Sequence, residues 1–495
     1  MPRSAVLTTF LFLNLIVSVA GQPPNDLYEF ELRGEAVEAR SADLDGDGRD
    51  DVAVLCTSSQ GEPEKYCFLI TSAPGGLQRG QARRVSLSPD ELFVAIGRFQ
   101  PGKARQLLVL GTKGSQFLFT DHVAAAMPVM VLPVGPSDKV RFWDAVADLD
   151  GDGLDELVLP DGRLYRLWRA NGSKGFERGS EVLDACRSTA VKDFERTGGS
   201  LFEVMGQLPR LMLRDLDGDG RIDAAAAVEG KLILRPGLSG AEPFGATRVV
   251  RDLPGSEGLT GPGRYLNRSW RLADLDADGR AELIMFENRG RLGLSSSGQG
   301  TVEISRIFGP DSPVIIRHLS QRGYVLGLEF ADVNGDGRLD MVTSVADFDL
   351  VGQALLGQQH GEVDYRVFLG TATDTYPDRP QFTFKLKIPL SSLETNPRIP
   401  YATFAGDFDG DGIKDVLHVD YDRGLIVRRV VRTDEGGFRV EDKPFINLRF
   451  RPTAVLKLVD LNGDGRTDII VSHRLPGTEN DRIDVLLSRG PANEP

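Results

Sequence analysis

One nine-residue pattern, Asp–apolar–Asp/Asn–Gly–Asp–Gly–x–x–Asp/Glu, recurs seven times and restricts what this chain can fold into. The copies begin at Asp43, Asp148, Asp215, Asp274, Asp332, Asp407 and Asp460. The position-four Gly is replaced once, by Ala277. An eighth, worn copy begins at Arg98; it keeps the apolar frame of Ala95-Ile96-Gly97 and loses the acids. The repeat length is roughly 60 residues, too long for most helical repeats and suited to a four-stranded propeller blade with long loops.

The segments between the loops read as strands. After the second intact copy, Glu156 to Leu159 precedes the turn Pro160-Asp161-Gly162. Arg163 to Trp168 then alternates polar and apolar, the period of a half-buried strand. Similar segments recur at 231–234, 425–431 and 483–487, and helix-period patterns are nearly absent. The expected fold is therefore all-β, a β-propeller of eight four-stranded blades. Seven blades remain possible if the worn copy forms none of its own. The last copy stops one strand short, and Tyr28 to Leu32 offers a spare strand before the first repeat. That strand is expected to close the ring and remove its open edge. The interval from Asp332 to Asp407 is long, and an insertion is expected at about 345–365, with a short helix one possibility.

The loops are rich in oxygen donors at alternate positions. In the first copy these are Asp43, Asp45, Asp47 and Asp51, with the Arg49 carbonyl at position seven. Hard oxygens crowded in this way suit Ca²⁺, and the lack of nitrogen and sulfur donors argues against zinc and copper. The corresponding sets are Asp148, Asp150, Asp152, Leu154 and Glu156; Asp215, Asp217, Asp219, Arg221 and Asp223; and Asp274, Asp276, Asp278, Arg280 and Glu282. They continue with Asp332, Asn334, Asp336, Arg338 and Asp340; Asp407, Asp409, Asp411, Ile413 and Asp415; and Asp460, Asn462, Asp464, Arg466 and Asp468. Each position-seven residue enters through its backbone carbonyl. An EF-hand would end on Glu at position twelve, which here holds Val54, Leu159, Ala226, Met285, Thr343, His418 and Val471. Up to seven Ca²⁺ are expected, and seven divalent ions would offset the formal net charge of −14. The two Asn-bearing loops should bind more weakly, because ligand charge tunes affinity.

These loops resemble the FG-GAP and VCBS repeats of the integrin α-subunit propeller and of many secreted bacterial proteins. Asp43-Leu44-Asp45-Gly46-Asp47-Gly48-Arg49-Asp50-Asp51 matches the family loop position by position, as do the other intact copies. The resemblance implies a propeller whose loops bind Ca²⁺ between the first two strands of a blade, on the residues named above. It implies that the Arg98 copy is empty, and that the ions brace the blades while partners dock elsewhere.

The remaining features bear on location and role. Arg3, an apolar run from Ala5 to Val17 and the small residues Ser18 to Ala20 have the layout of a signal peptide over 1–21. The remainder, 22–495, reads as a single propeller domain, secreted or periplasmic, with no membrane insertion. The acidic balance argues against nucleic acid. Cys56 and Cys67 flank a short polar stretch and are expected to bridge neighbouring strands if the compartment is oxidising, the alternative being two buried thiols; Cys186 is expected to be inertly buried. The five histidines, His122, His318, His360, His418 and His473, are scattered, and no nucleophile elbow or His–Glu metal helix occurs. Trp143, Trp168 and Trp270 are expected in packing. No catalytic residue is assigned. The expected role is a monomeric, non-catalytic interaction, adhesion or envelope-docking module for an unknown extracellular protein or glycan. A calcium-dependent polysaccharide lyase or a lectin stands as the alternative.

Overall fold

A computed structural model describes residues 25–489 except 59–63, 75, 79–81, 120–139, 173–174, 194–200, 241, 254–256, 262–263, 292–296, 310–311, 347–359, 372–375, 390–401, 421–423, 450–451, 476 and 479. The proposed leader, His122 and most of the expected insertion lie outside the described residues. Among the described residues the elements are strands, without an α-helix.

The second strand of each blade shows why these sequences build this fold. Asp51–Ser58 has an almost continuous apolar run because both of its faces are covered. Val52, Val54 and Cys56 point into one core cluster, and Ala53 and Leu55 into the next. The same alternation along Ile469 to Val471 feeds two clusters from one strand. A sheet buried on both faces must stack against a neighbour on each side, and a ring of such sheets satisfies all of them.

Eight blades result. The first comprises Glu35–Ala42, Asp51–Ser58, Glu64–Ile70 and Arg83–Leu87, each antiparallel to the next. Blades three to seven begin with Val146–Ala147, Met212–Arg214, Arg264–Ala273, Tyr324–Ala331 and Ala402–Gly406. The first strand of one blade lies against the first strand of a neighbour, as for Glu35–Ala42 beside Pro452–Val459, so first strands line the axis. Eight hydrophobic clusters fill the eight junctions between adjacent blades. The worn copy therefore does supply a blade of its own, around Glu91–Gly97, Gln106–Gly111 and Ser115–Phe117. Its fourth strand, Arg141–Trp143, pairs parallel with Glu91–Gly97 instead of continuing the meander.

The ring closes as the spare strand predicts. Pro452–Val459, Asp468–Arg474 and Asp481–Ser488 form three strands of blade eight, and Asn25–Glu31 adds the fourth, antiparallel to the last. Tyr28 and Phe30 bury their rings in the cluster that joins blades eight and one.

Two expectations about side chains are settled here. The Cys56–Cys67 bridge does not form. Cys56 lies opposite Tyr66 and Cys67 opposite Leu55, a one-residue offset that places the thiols on opposite faces of the sheet. Both are buried, and desolvation pushes the Cys56 thiol up to about 12. Cys186 is buried in the cluster between blades three and four. The tryptophans do pack: the Trp143 indole donates to the Val158 carbonyl at 3.1 Å, and Trp168 and Trp270 lie against core clusters.

Candidate functional site

Each acidic loop joins the first strand of its blade to the second, and all seven share one internal wiring. The position-six N–H donates to the position-one carboxylate, from Gly48 to Asp43 at 3.1 Å through Gly465 to Asp460 at 2.8 Å. The position-seven N–H donates to the position-five carboxylate, as Arg280 does to Asp278 at 2.7 Å. The position-two N–H donates to the position-nine acid, from Leu44 to Asp51 at 3.1 Å through Leu461 to Asp468 at 2.8 Å. Positions four and six have positive φ, which explains their Gly. Ala277 occupies position four with φ 61°.

The wiring brings carboxylates together. Positions one, three and nine converge in four loops: Asp148, Asp150 and Glu156; Asp215, Asp217 and Asp223; Asp274, Asp276 and Glu282; Asp407, Asp409 and Asp415. In the first loop the convergent trio is Asp43, Asp45 and Asp47. Within each trio, one oxygen per residue lies within 4.8 Å of the others. The position-five acids Asp152, Asp219, Asp278 and Asp411 fall outside these trios. In the remaining two loops the Asn side chain donates to the position-five acid, Asn334 to Asp336 at 3.1 Å and Asn462 to Asp464 at 3.3 Å.

Position nine behaves differently from the rest. All seven of these acids are buried. Where the residue is Asp, both oxygens accept backbone N–H groups. Asp340 takes Val333 and Asn334 on Oδ2 and Gly370 on Oδ1. Asp51, Asp223, Asp415 and Asp468 reach Ser72, Gly237, Val430 and Ser488 in the same way. The acid thus ties the loop to the adjoining end of the third strand of its own blade. In the two loops that end in Glu, Oε1 of Glu156 and of Glu282 has no hydrogen-bond partner. Burial, reinforced by the neighbouring acids, pushes Glu156 up to about 8 and Glu282 up to about 7. Burial likewise moves Asp340 to about 6 and Asp415 and Asp468 to about 7, against the pull of their amide donors.

The sequence reading missed a competing pair. Position-seven arginines bond the position-five acids in four loops: Arg49 to Asp47, Arg221 to Asp219, Arg338 to Asp336 and Arg466 to Asp464. The Arg is visible in the sequence, but its backward reach over two residues is not.

The worn copy replaces the carboxylates with a neutral pair: the Gln106 amide donates to the Gln100 carbonyl oxygen at 3.1 Å. Phe99 is buried in the cluster between blades two and three, and the Arg98 carbonyl accepts from the Asp155 N–H at 2.7 Å. Similar bonds tie other consecutive loops. Ala281 donates to Leu216, Leu339 to Leu275, Lys414 to Val333 and Thr467 to Asp407, always from position eight.

The repeat signature, the blades and their ring are thus in place. Residues 274–343 match the model of the FG-GAP-like repeat family. The chain is a β-propeller that carries an FG-GAP-like repeat. That segment runs from the fourth intact loop, through blade five, into the second strand of blade six, so it spans one period of this propeller. No curated protein matches the chain. Among solved structures, an Agrocybe aegerita lectin described for specific recognition of non-reducing terminal N-acetylglucosamine aligns with a TM-score of 0.39 and 16% identity, over 84% of this chain and 91% of the lectin. The Dos1 propeller aligns with a TM-score of 0.41 and 9% identity, over 94% of each chain.

The donor chemistry fits a hard divalent cation. Four buried carboxylate oxygens in these loops have no hydrogen-bond partner: Glu156 Oε1, Asp217 Oδ1, Asp274 Oδ1 and Glu282 Oε1. Such atoms are costly unless a charge of opposite sign meets them. The histidines that follow acidic loops are used otherwise. His418 is buried against Phe384 and accepts from Arg428 at 3.2 Å, and His473 lies 3.1 Å from Asp484. No helix among the described residues is long and apolar enough to cross a membrane.

Proposed function

We propose that this propeller is an exported, non-catalytic interaction module whose acidic loops hold Ca²⁺ as braces between the first and second strands of its blades. The convergence of three acids in each of five loops supports the ion reading most directly. The acids at positions one, three, five and nine, with the position-seven carbonyls, would hold the ions. The ion would supply charge compensation where the chain brings like charges together, and metal binding would be coupled to folding. The protein's own residues do the rest: Gly at positions four and six shape the turn, and the position-nine acid anchors it to the blade. Residues 1–21 would direct export, and a monomer would present its end faces to a protein or glycan partner.

The test takes the mature protein with Ca²⁺ to a broad glycan array and to acidic polysaccharides in solution, each repeated with EDTA. Binding without chain cleavage supports an interaction module with a glycan partner. Binding to none directs the search to protein partners. Release of unsaturated sugar products would overturn the non-catalytic reading.

A further inference from the structure

We infer that the two loops closed by glutamate, Asp148–Glu156 and Asp274–Glu282, hold the tightly bound cations of this propeller, while the five loops closed by aspartate bind more weakly. The inference rests on the cation-bracing reading above and ranks its sites.

Three observations separate the two classes. The first is the state of the position-nine oxygens. In the aspartate loops both already accept backbone N–H groups, so an ion adds little that is missing. Glu156 and Glu282 are 1% and 0% exposed, and each satisfies only Oε2, through Leu149 at 2.8 Å and Leu275 at 3.0 Å. Their Oε1 atoms have been removed from water with nothing in return. A cation reaching such an atom relieves a desolvation penalty that the fold already bears.

The second concerns position five. Arginine neutralises Asp47, Asp219, Asp336 and Asp464, and a cation at those loops must compete with it. Among the described residues no arginine pairs with Asp152 or Asp278. Position seven is the buried Leu154 in one loop. In the other it is Arg280, whose backbone bridges to Asp217 of the preceding loop. The Asp407 loop shares an unpaired Asp411, but Asp415 is fully bonded.

The third singles out the Asp274 loop. In five loops the position-four Gly donates to the position-one acid, as Gly151 does to Asp148 at 2.7 Å. With Ala277 at position four, Asp274 Oδ1 has no partner. This loop therefore offers two bare oxygens, where the Asp148 loop offers one. The Asp215 loop also bares one, on Asp217, but its Asp223 is doubly bonded.

Equilibrium dialysis of the mature protein against buffered Ca²⁺, with bound metal counted by elemental analysis, separates the classes. The expected result is two ions held at free Ca²⁺ at least about tenfold below that needed for the others. Glu282→Asp should remove one tight ion, and Glu156→Asp with Glu282→Asp should remove both. One uniform class, or two tight ions that survive in the double variant, overturns this inference and leaves the bracing role standing. No retained ion at any Ca²⁺ concentration overturns both. A second readout needs no change at position nine. Tyr376 shares a cleft with Asp276 and Glu282, so Tb³⁺ used as the probe should show tyrosine-sensitised emission with the first ions bound. Tyr376→Phe should remove most of that emission. First ions that bind silently would contradict the assignment.

Discussion

Ala277 has a left-handed backbone that its six counterparts achieve with Gly. A Cβ in that region costs about 1–2 kcal/mol, partly offset by the greater freedom of Gly in the unfolded chain. Ala277→Gly should therefore stabilise the protein by about 1 kcal/mol, read as a rise in melting temperature with the ion class held constant; a fall would contradict the strain. His418 makes a second case. It is buried, its Nε2 accepts from Arg428, and burial, with Arg428 adding and Asp420 opposing, lowers its pKa to about 4. The unfolded chain takes up this proton near pH 6.5 and the folded chain only near 4, so the contribution is full above pH 6.5 and is lost as pH falls between those values. Its size is on the order of 3 kcal/mol. His418→Gln should melt with a flatter pH profile across that window than the parent; parallel profiles would count against the buried neutral imidazole.

At the scale of the element, the acidic loop is two devices in one. Positions one and three, joined by position nine in four loops and by position five in the first, bring acids together where a cation would fit; where position nine is Asp it is also a clamp that works through hydrogen bonds. Asp340→Asn would turn an acceptor into a donor facing the amides of Val333, Asn334 and Gly370. Leaving buried donors unpaired should destabilise by about 2–3 kcal/mol, and should do so in EDTA as well as in Ca²⁺. A loss confined to the Ca²⁺-loaded protein would make position nine a ligand first. The alternation of acids and the apolar position two reveal the loop in the sequence. The clamp is not legible, because its partners Gly370 and Ser488 lie twenty or more residues away in sequence, at the end of the neighbouring strand. Nor is the opposite facing of Cys56 and Cys67, since it depends on a register that shifts with one residue. Blade two shows the other limit. Its frame survives at Ala95 to Gly97, but the parallel pairing of Arg141–Trp143 has no local signal.

For the whole molecule, stability depends on the ring being complete, because every blade buries both faces against neighbours. The number of blades follows from counting loops, including the worn one, and the closing strand from the three-stranded remainder at the C-terminal end. Phe30 fills the last junction, so Phe30→Ala should cost about 3–4 kcal/mol although it lies on the outermost strand of its blade. Wild-type-like melting would mean that the junction is not closed by this strand. The inter-loop bonds from Ala281 to Leu216, Leu339 to Leu275, Lys414 to Val333 and Thr467 to Asp407 run along the same ring. They join the ordering of one loop to that of the next. The central claim is that cations brace these loops. The most direct test is the melting temperature of the mature protein in Ca²⁺ and in EDTA, with bound metal measured on the same samples. The account predicts bound Ca²⁺ and a sharp fall in melting temperature on chelation. An unchanged melt, with no metal bound in either sample, would contradict it.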